Sequence, residues 1–282
     1  MPGLVPGIHV LLRDRGMPPD LFFALTLIVK MAVTAGFVVA ATVTAERAGP
    51  VIGGLVATLP LGAGPAYVFL AMDHDAHFIA QGALASLTIN ISNAILAAVY
   101  AMLAQKRSLT GSLSGAMLVW FVSAVALQAL ALNFTATAIA NAVVLIACIA
   151  LARTFRHVRM PPFKARWPDF LLRAGMVAVI VGILVTFSFQ LGPSRSGLLA
   201  VFPVVLTSIA IVMHPRVGGK AAAAVLANAP IGLIGFAFAC AVLHFTAEPF
   251  GNPAGLALAL LTSVTWSLLM MLAHRPPAAE LT

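Results

Sequence analysis

Gly192-Pro193-Ser194-Arg195-Ser196-Gly197-Leu198-Leu199-Ala200-Val201-Phe202-Pro203 is the second appearance of a pattern. The chain carries it earlier as Gly49-Pro50-Val51-Ile52-Gly53-Gly54-Leu55-Val56-Ala57-Thr58-Leu59-Pro60, and the shift between the two is 192 − 49 = 143 residues. The same shift extends upstream without a gap, so that Lys30 falls on Arg173, Ala35 on Ala178 and Val38 on Val181. Apolar coincidences carry little weight in so apolar a chain. Two Gly pairs, two Pro pairs and one basic pair in a single register carry much more, and a fixed-period repeat governs the reading of a whole fold. Downstream, Trp120 meets Trp266 at an offset of 146, which needs three extra loop residues.

The surroundings of the repeat are those of a membrane protein. Of the 282 residues, 61% are hydrophobic and 9% are charged, against roughly 25% charged in a soluble domain. Apolar runs of about 20 residues suffice to cross a bilayer as helix. Such runs lie near 21–45, 50–72, 78–103, 112–131, 134–153, 171–191, 195–213, 221–245 and 254–273. The fourth and fifth divide at Leu132-Asn133-Phe134. The run from Leu21 to Ala45 is too long for a signal peptide, whose apolar core is shorter and ends at a small-residue cleavage site, and is read as a retained first span.

The expectation is therefore an all-α membrane protein of about nine transmembrane helices. It comprises an N-terminal segment (1–20), a four-helix repeat (21–131), a linker helix (132–153), a basic loop (154–169), a second four-helix repeat (170–275) and a tail (276–282). Four spans plus a linker make an odd interval, so the second unit enters the membrane from the opposite side. The net charge of +8 comes from basic residues in short loops at span ends, a distribution that argues against nucleic-acid binding. With the N-terminus outside and the C-terminus cytoplasmic, eleven Lys and Arg fall inside and three (Arg13, Arg15, Arg195) fall outside. The loop Asp73-His74-Asp75-Ala76-His77 is acidic and external. Its counterpart from His214 to Lys220 is basic and internal, as inverted units under this rule require.

A basic residue, an apolar helix, Gly-Leu, and Pro six residues after that Gly resemble the GlpM family of small bacterial membrane proteins. The second copy, Ser196 to Pro203, matches better than the first, Gly53 to Pro60, and Lys30 and Arg173 stand where the family's lysine is expected. Members of that family look like a single four-helix unit, so this chain resembles an antiparallel pair of them fused. The resemblance implies a bacterial inner-membrane setting and an association with alginate production. It supplies no molecular activity.

Proline inside a helix frees backbone carbonyls, which at membrane depth need partners from protein or a water-filled cavity. Inverted-repeat transporters place binding sites at such interrupted helices. Gly54, Pro60, Gly197 and Pro203 are accordingly candidate substrate-binding positions, with kinked close packing as the plainer reading. A lysine about nine residues into a span marks a functional position by default. Lys30 and Arg173 are read as a cationic pair drawing an anionic or zwitterionic solute, against the plainer reading of snorkelling anchors. Arg47 and Arg195 flank the Gly-Pro turns as mouths of a pathway, or as ordinary interfacial arginines.

No Asp or Glu lies in a span core, which argues against ion coupling unless a loop carboxylate folds inward. Asp73, His74, Asp75 and His77 match no established metal spacing. Asn90, Ser92, Asn93 and Asn228 suit interhelical hydrogen bonds. Cys148 and Cys240 are isolated at lipid depth and read as packing residues. No nucleotide loop, His-Glu-x-x-His or serine elbow is present, so no enzymatic activity, metal or cofactor is expected. Two functions stand: a small transporter or channel-like protein, and a non-transporting accessory to envelope or exopolysaccharide assembly. The partners expected are the lipid bilayer and a small anionic solute.

Overall fold

The computed structural model describes residues 19–47, 63–156 and 166–273. Among these the chain is helical, with no strand. The helices are α1 (Pro19–Arg47), α2 (Ala63–Asp73), α3 (Ala76–Leu103), α4 (Leu109–Ala129), α5 (Phe134–Ala152), α6 (Trp167–Ala200), α7 (Val204–Val217) and α8 (Gly219–Ala273), with a short 3₁₀ turn at Arg153–Phe155 after α5. Among the described residues six helical stretches are long and apolar enough to cross a membrane, and the chain is a multi-pass integral membrane protein.

Nine spans are expected where six such stretches are found among the described residues; two of the three differences fall at two glycines. The stretches Trp167–Val217 and Gly219–Met270 hold 51 and 52 residues, each about twice what a single crossing needs. Gly192 (φ 73°) divides α6 and Gly251 (φ 81°) divides α8, both in left-handed backbone where a side chain is disfavoured. Beyond Gly251 the helix folds back on itself. A Cβ on Gly255 would lie 3.0 Å from Ala247 Cα, Gly235 abuts Trp266, and Trp266 Nε1 donates to Ile231 O at 3.2 Å. The span expected at 50–72 is described only from Ala63, so Gly54 and Pro60 lie outside the described residues. The span expected at 195–213 is discontinuous: α6 ends at Ala200 and α7 begins at Val204, because Pro203 has no N–H to continue the helix.

Local chemistry sets the other ends. Asp75 caps α3 by accepting from Phe78 N at 2.9 Å. Asn133 caps α5 by accepting from Ala136 N at 2.9 Å, at the expected division between spans. Asp169 accepts from Arg166 N at 2.7 Å in the first turn of α6.

The helix α3 is the axle. Its best membrane-length window is 83% buried, against 17% for α1 and 22% for α4 and α5, whose apolar faces turn to lipid. It contacts the first limb of α8 at successive levels. His77 bonds Glu248, Ala80 O accepts from His244, Asn90 donates to Leu233 O, and Ala104 O abuts Gly219. As one number rises the other falls, so the two helices run antiparallel. Helix α5 lies against both of them, and α1 lies against α6. Lipid tails are as apolar as leucine, so such contacts rest on small residues and interhelical hydrogen bonds. Gly82 against Gly197, Gly182 against Met31 and Gly115 against Leu103 are contacts of that kind.

Candidate functional site

The break between α6 and α7 is built into the protein interior. The second limb of α6 reaches Gly197 hard against α3, where a Cβ would strike Gly82 O and lie 2.9 Å from Ala85 Cβ. Two carbonyls near the break take bonds from α3: Ser86 Oγ donates to Gly197 O at 2.8 Å, and Asn93 Nδ2 donates to Val201 O at 3.0 Å. Both donors are held in turn. Tyr67 OH lies 2.6 Å from Ser86 Oγ, and Trp120 Nε1 donates to Asn93 Oδ1 at 2.7 Å. Thr207 Oγ1 back-bonds to Pro203 O at 2.8 Å. One helical turn or so along α3, Asn90 donates to both Asn141 Oδ1 (3.0 Å) and Leu233 O (3.1 Å), and Asn141 donates to Leu87 O. Discontinuous backbone at membrane depth requires such partners, and here side chains of α3 supply two of them.

Lys30 does not snorkel. It is 4% exposed, its Nζ lies 2.6 Å from Asp73 Oδ2, and the ammonium sits 5.6 Å from the centroid of the Phe69 ring. Asp73, at the end of α2 and 22% exposed, is thus the inward-folded carboxylate on which the question of a deep acid turned. Burial of both charges costs free energy that only close pairing and good geometry offset.

Arg173 belongs to a different set. It is half-buried on α6 and its Nε donates to Ser208 Oγ at 3.2 Å. One turn before it, Asp169 accepts both arms of Arg216 at 2.6 Å. Asp73 and Arg216 are 216 − 73 = 143 residues apart, and each is one member of an ion pair, Asp73 with Lys30 and Arg216 with Asp169. Lys30 thus bonds Asp73 while Arg173 bonds Ser208. Arg195 is exposed on the second limb of α6, Arg47 is the last residue of α1, and Gly197 and Pro203 bracket the break.

The segment at His74 is tied across the molecule. His74 Nε2 lies 2.8 Å from Ser188 Oγ, its ring stacks on Phe78 at 3.7 Å, and Asn252 Nδ2 donates to the carbonyls of Ala71 and His74 at 3.2 and 3.0 Å. Burial holds the His74 imidazole below its ordinary value; Asp73 and Asp75 oppose that shift and Lys30 adds to it. Exposed His77 and Glu248 pair at 2.8 Å. Among the described residues no three His, Cys, Asp or Glu side chains converge as metal ligands.

Two cavities adjoin these groups. One, of about 450 Å³, lies between α1 and α2 on one side and both limbs of α8 on the other; the second, of about 500 Å³, lies between α6 and the start of α7. Apolar side chains wall both. The position of Lys30 stood out in the sequence, but Ser86 did not, because a serine in an apolar run has many bland roles. No family model, curated protein or solved structure matches the chain.

Proposed function

We propose that the chain is a small transporter of the bacterial inner membrane, crossing nine times as two inverted four-span units joined by α5. In this reading the N-terminus is outside, the C-terminus is cytoplasmic, and the pathway for an anionic or zwitterionic solute runs between the units. The observation that carries it is the contact of Asn90 with Leu233, residues 143 apart and so equivalent under the repeat. A two-fold axis in the membrane plane brings a residue against its own equivalent only on the axis itself. The antiparallel run of α3 along α8 supports that placement.

The broken helix at 201–203 supports transport, because inverted-repeat carriers gather their sites at such breaks. Lys30 acts with Asp73 rather than with Arg173: the pair offers both signs of charge at one place and exchanges them for those of a zwitterion. The fused-pair resemblance to GlpM-like proteins belongs to the same proposal. A second reading, a non-transporting accessory to envelope assembly, is favoured by the complete pairing of Ser86 and Asn93 with backbone and by the apolar walls of both cavities.

The test is uptake of phosphate, glutamate and glycerophosphocholine into proteoliposomes by the full chain. Transport predicts entry of at least one above protein-free vesicles. It also predicts a return to background in the folded double variant Lys30→Met with Asp73→Asn, which removes both charges together. Uptake at background for all three favours the accessory reading. Unchanged uptake in the double variant rejects the role of the pair.

A further inference from the structure

We propose that the cavity between α1, α2 and α8 is a binding site for a zwitterionic amphiphile, with one acyl chain in the cavity and a phosphate–amine head on Lys30 and Asp73. The inference rests on the pathway proposed between the units and names its substrate class.

The cavity holds about 450 Å³, inside the roughly 300–1,000 Å³ of small-molecule sites. Its walls include Val33, Phe37, Val68, Phe69, Leu243 and Leu260. Four of these face outward: Val33 is 56% exposed, Phe37 49%, Val68 47% and Leu260 54%. In a bilayer that places the mouth on the lipid side, where a chain enters sideways without crossing water. A hydrated solute finds almost no polar wall there.

A charged pair lies behind the cavity wall at Phe69. Lys30 lies one turn from Val33 and Thr34 on α1, and its ammonium rests over Phe69, which is itself a wall of the cavity. Asp73, one turn beyond Phe69 on α2, completes the pair. An acyl chain is as well solvated by lipid tails as by this cavity, so the chain supplies shape and the head decides affinity. A purely anionic head satisfies Lys30 but faces the Asp73 carboxylate, and a purely cationic head does the converse. A phosphate on Lys30 with an amine on Asp73 replaces one ion pair by two and leaves no buried charge unpaired, which is the condition on burying them.

The test is native mass spectrometry of the full chain in detergent. Three lipids with one palmitoyl chain are supplied in equal amounts, bearing a phosphoethanolamine head, a phosphoglycerol head or an uncharged glycerol head. The site predicts one phosphoethanolamine lipid retained per chain, about tenfold over the other two. Leu260→Trp, or Val68→Trp on the facing wall, fills the cavity from a lipid-exposed position and abolishes retention while the unfolding temperature holds. Asp73→Asn shifts the preference toward the phosphoglycerol lipid. Equal retention of the three lipids overturns the head assignment, and retention that survives both tryptophans overturns the site. Retention without solute uptake upholds this inference and removes the pathway for soluble solutes; uptake without retention removes this inference alone.

Discussion

Replacing Gly197 by alanine tests how the broken helix is held. The new Cβ would strike Gly82 O and lie 2.9 Å from Ala85 Cβ and 3.0 Å from Gly82 C. Two of those three atoms are backbone of α3, which cannot rotate aside as a side-chain tip does. The helix ending at Ala200 must therefore move off α3, and overpacking of this kind costs about 1–3 kcal/mol. The same movement stretches the Ser86–Gly197 bond of 2.8 Å, and an interhelical hydrogen bond in a membrane averages about 0.6 kcal/mol. Together the expected loss is about 2–4 kcal/mol. Gly175 sits in the first limb of α6 with nothing within 4 Å of a Cβ, and a Cβ on Gly82 meets only ordinary contacts from 3.5 Å outward. Gly175→Ala should be neutral or stabilising by up to about 1 kcal/mol, since alanine suits a helix better than glycine. The assay is reversible unfolding of the detergent-solubilised protein in increasing denaturing surfactant, comparing Gly197→Ala, Gly82→Ala and Gly175→Ala. Equal stabilities for Gly197→Ala and Gly175→Ala, to within about 1 kcal/mol, would refute the close approach on which this reasoning rests.

Other outcomes depend on single contacts. Asp73→Asn strands the 4%-exposed Lys30 ammonium and should cost on the order of 3 kcal/mol; adding Lys30→Met should recover most of the loss, as a double-mutant cycle in the same assay will report. His74 has an imidazole pKa below its ordinary 6.5, so its contribution is whole above that value and is lost as pH falls from there through the lowered one. Unfolding scans from pH 8 to pH 5 should show stability falling in the parent protein and a flatter profile in His74→Gln. Ala131, in the turn after α4, has φ 44°, and Ala131→Gly should raise stability by a few tenths to about 1 kcal/mol by relieving left-handed backbone. Trp120→Phe removes the 2.7 Å bond that fixes Asn93 and should cost about 1 kcal/mol, with the largest rise in hydrogen exchange at Val201–Phe202.

The fold was legible where glycine, proline and polar caps punctuate apolar runs. Gly192-Pro193 and Gly251 mark turns because only left-handed backbone lets the helices around them part, and Asn133 marks one because its side chain caps the first turn of α5. Pro203 announced the interrupted helix but not its exact form, since hydrophobicity alone runs straight through 201–203. The site was legible only in part. Lys30 is conspicuous as a charge within a span, yet its partner lies 43 residues away in a stretch that reads as a solvated loop. No local pattern reports that Asp73 folds inward. Arg173 shares the register of Lys30 and bonds Ser208, while the residue matching Asp73 is Arg216, which pairs with Asp169.

The inverted arrangement is tested most directly by asking on which side of the membrane two equivalent positions lie. His77 and Lys220 are 220 − 77 = 143 residues apart and both are exposed. His77→Cys and Lys220→Cys, made separately with Cys148 and Cys240 replaced by alanine, are probed in intact cells with a membrane-impermeant maleimide. The account predicts labelling at position 77 in intact cells and at position 220 only after permeabilisation. Labelling of both positions from the same side would contradict the inverted units and the pathway proposed between them.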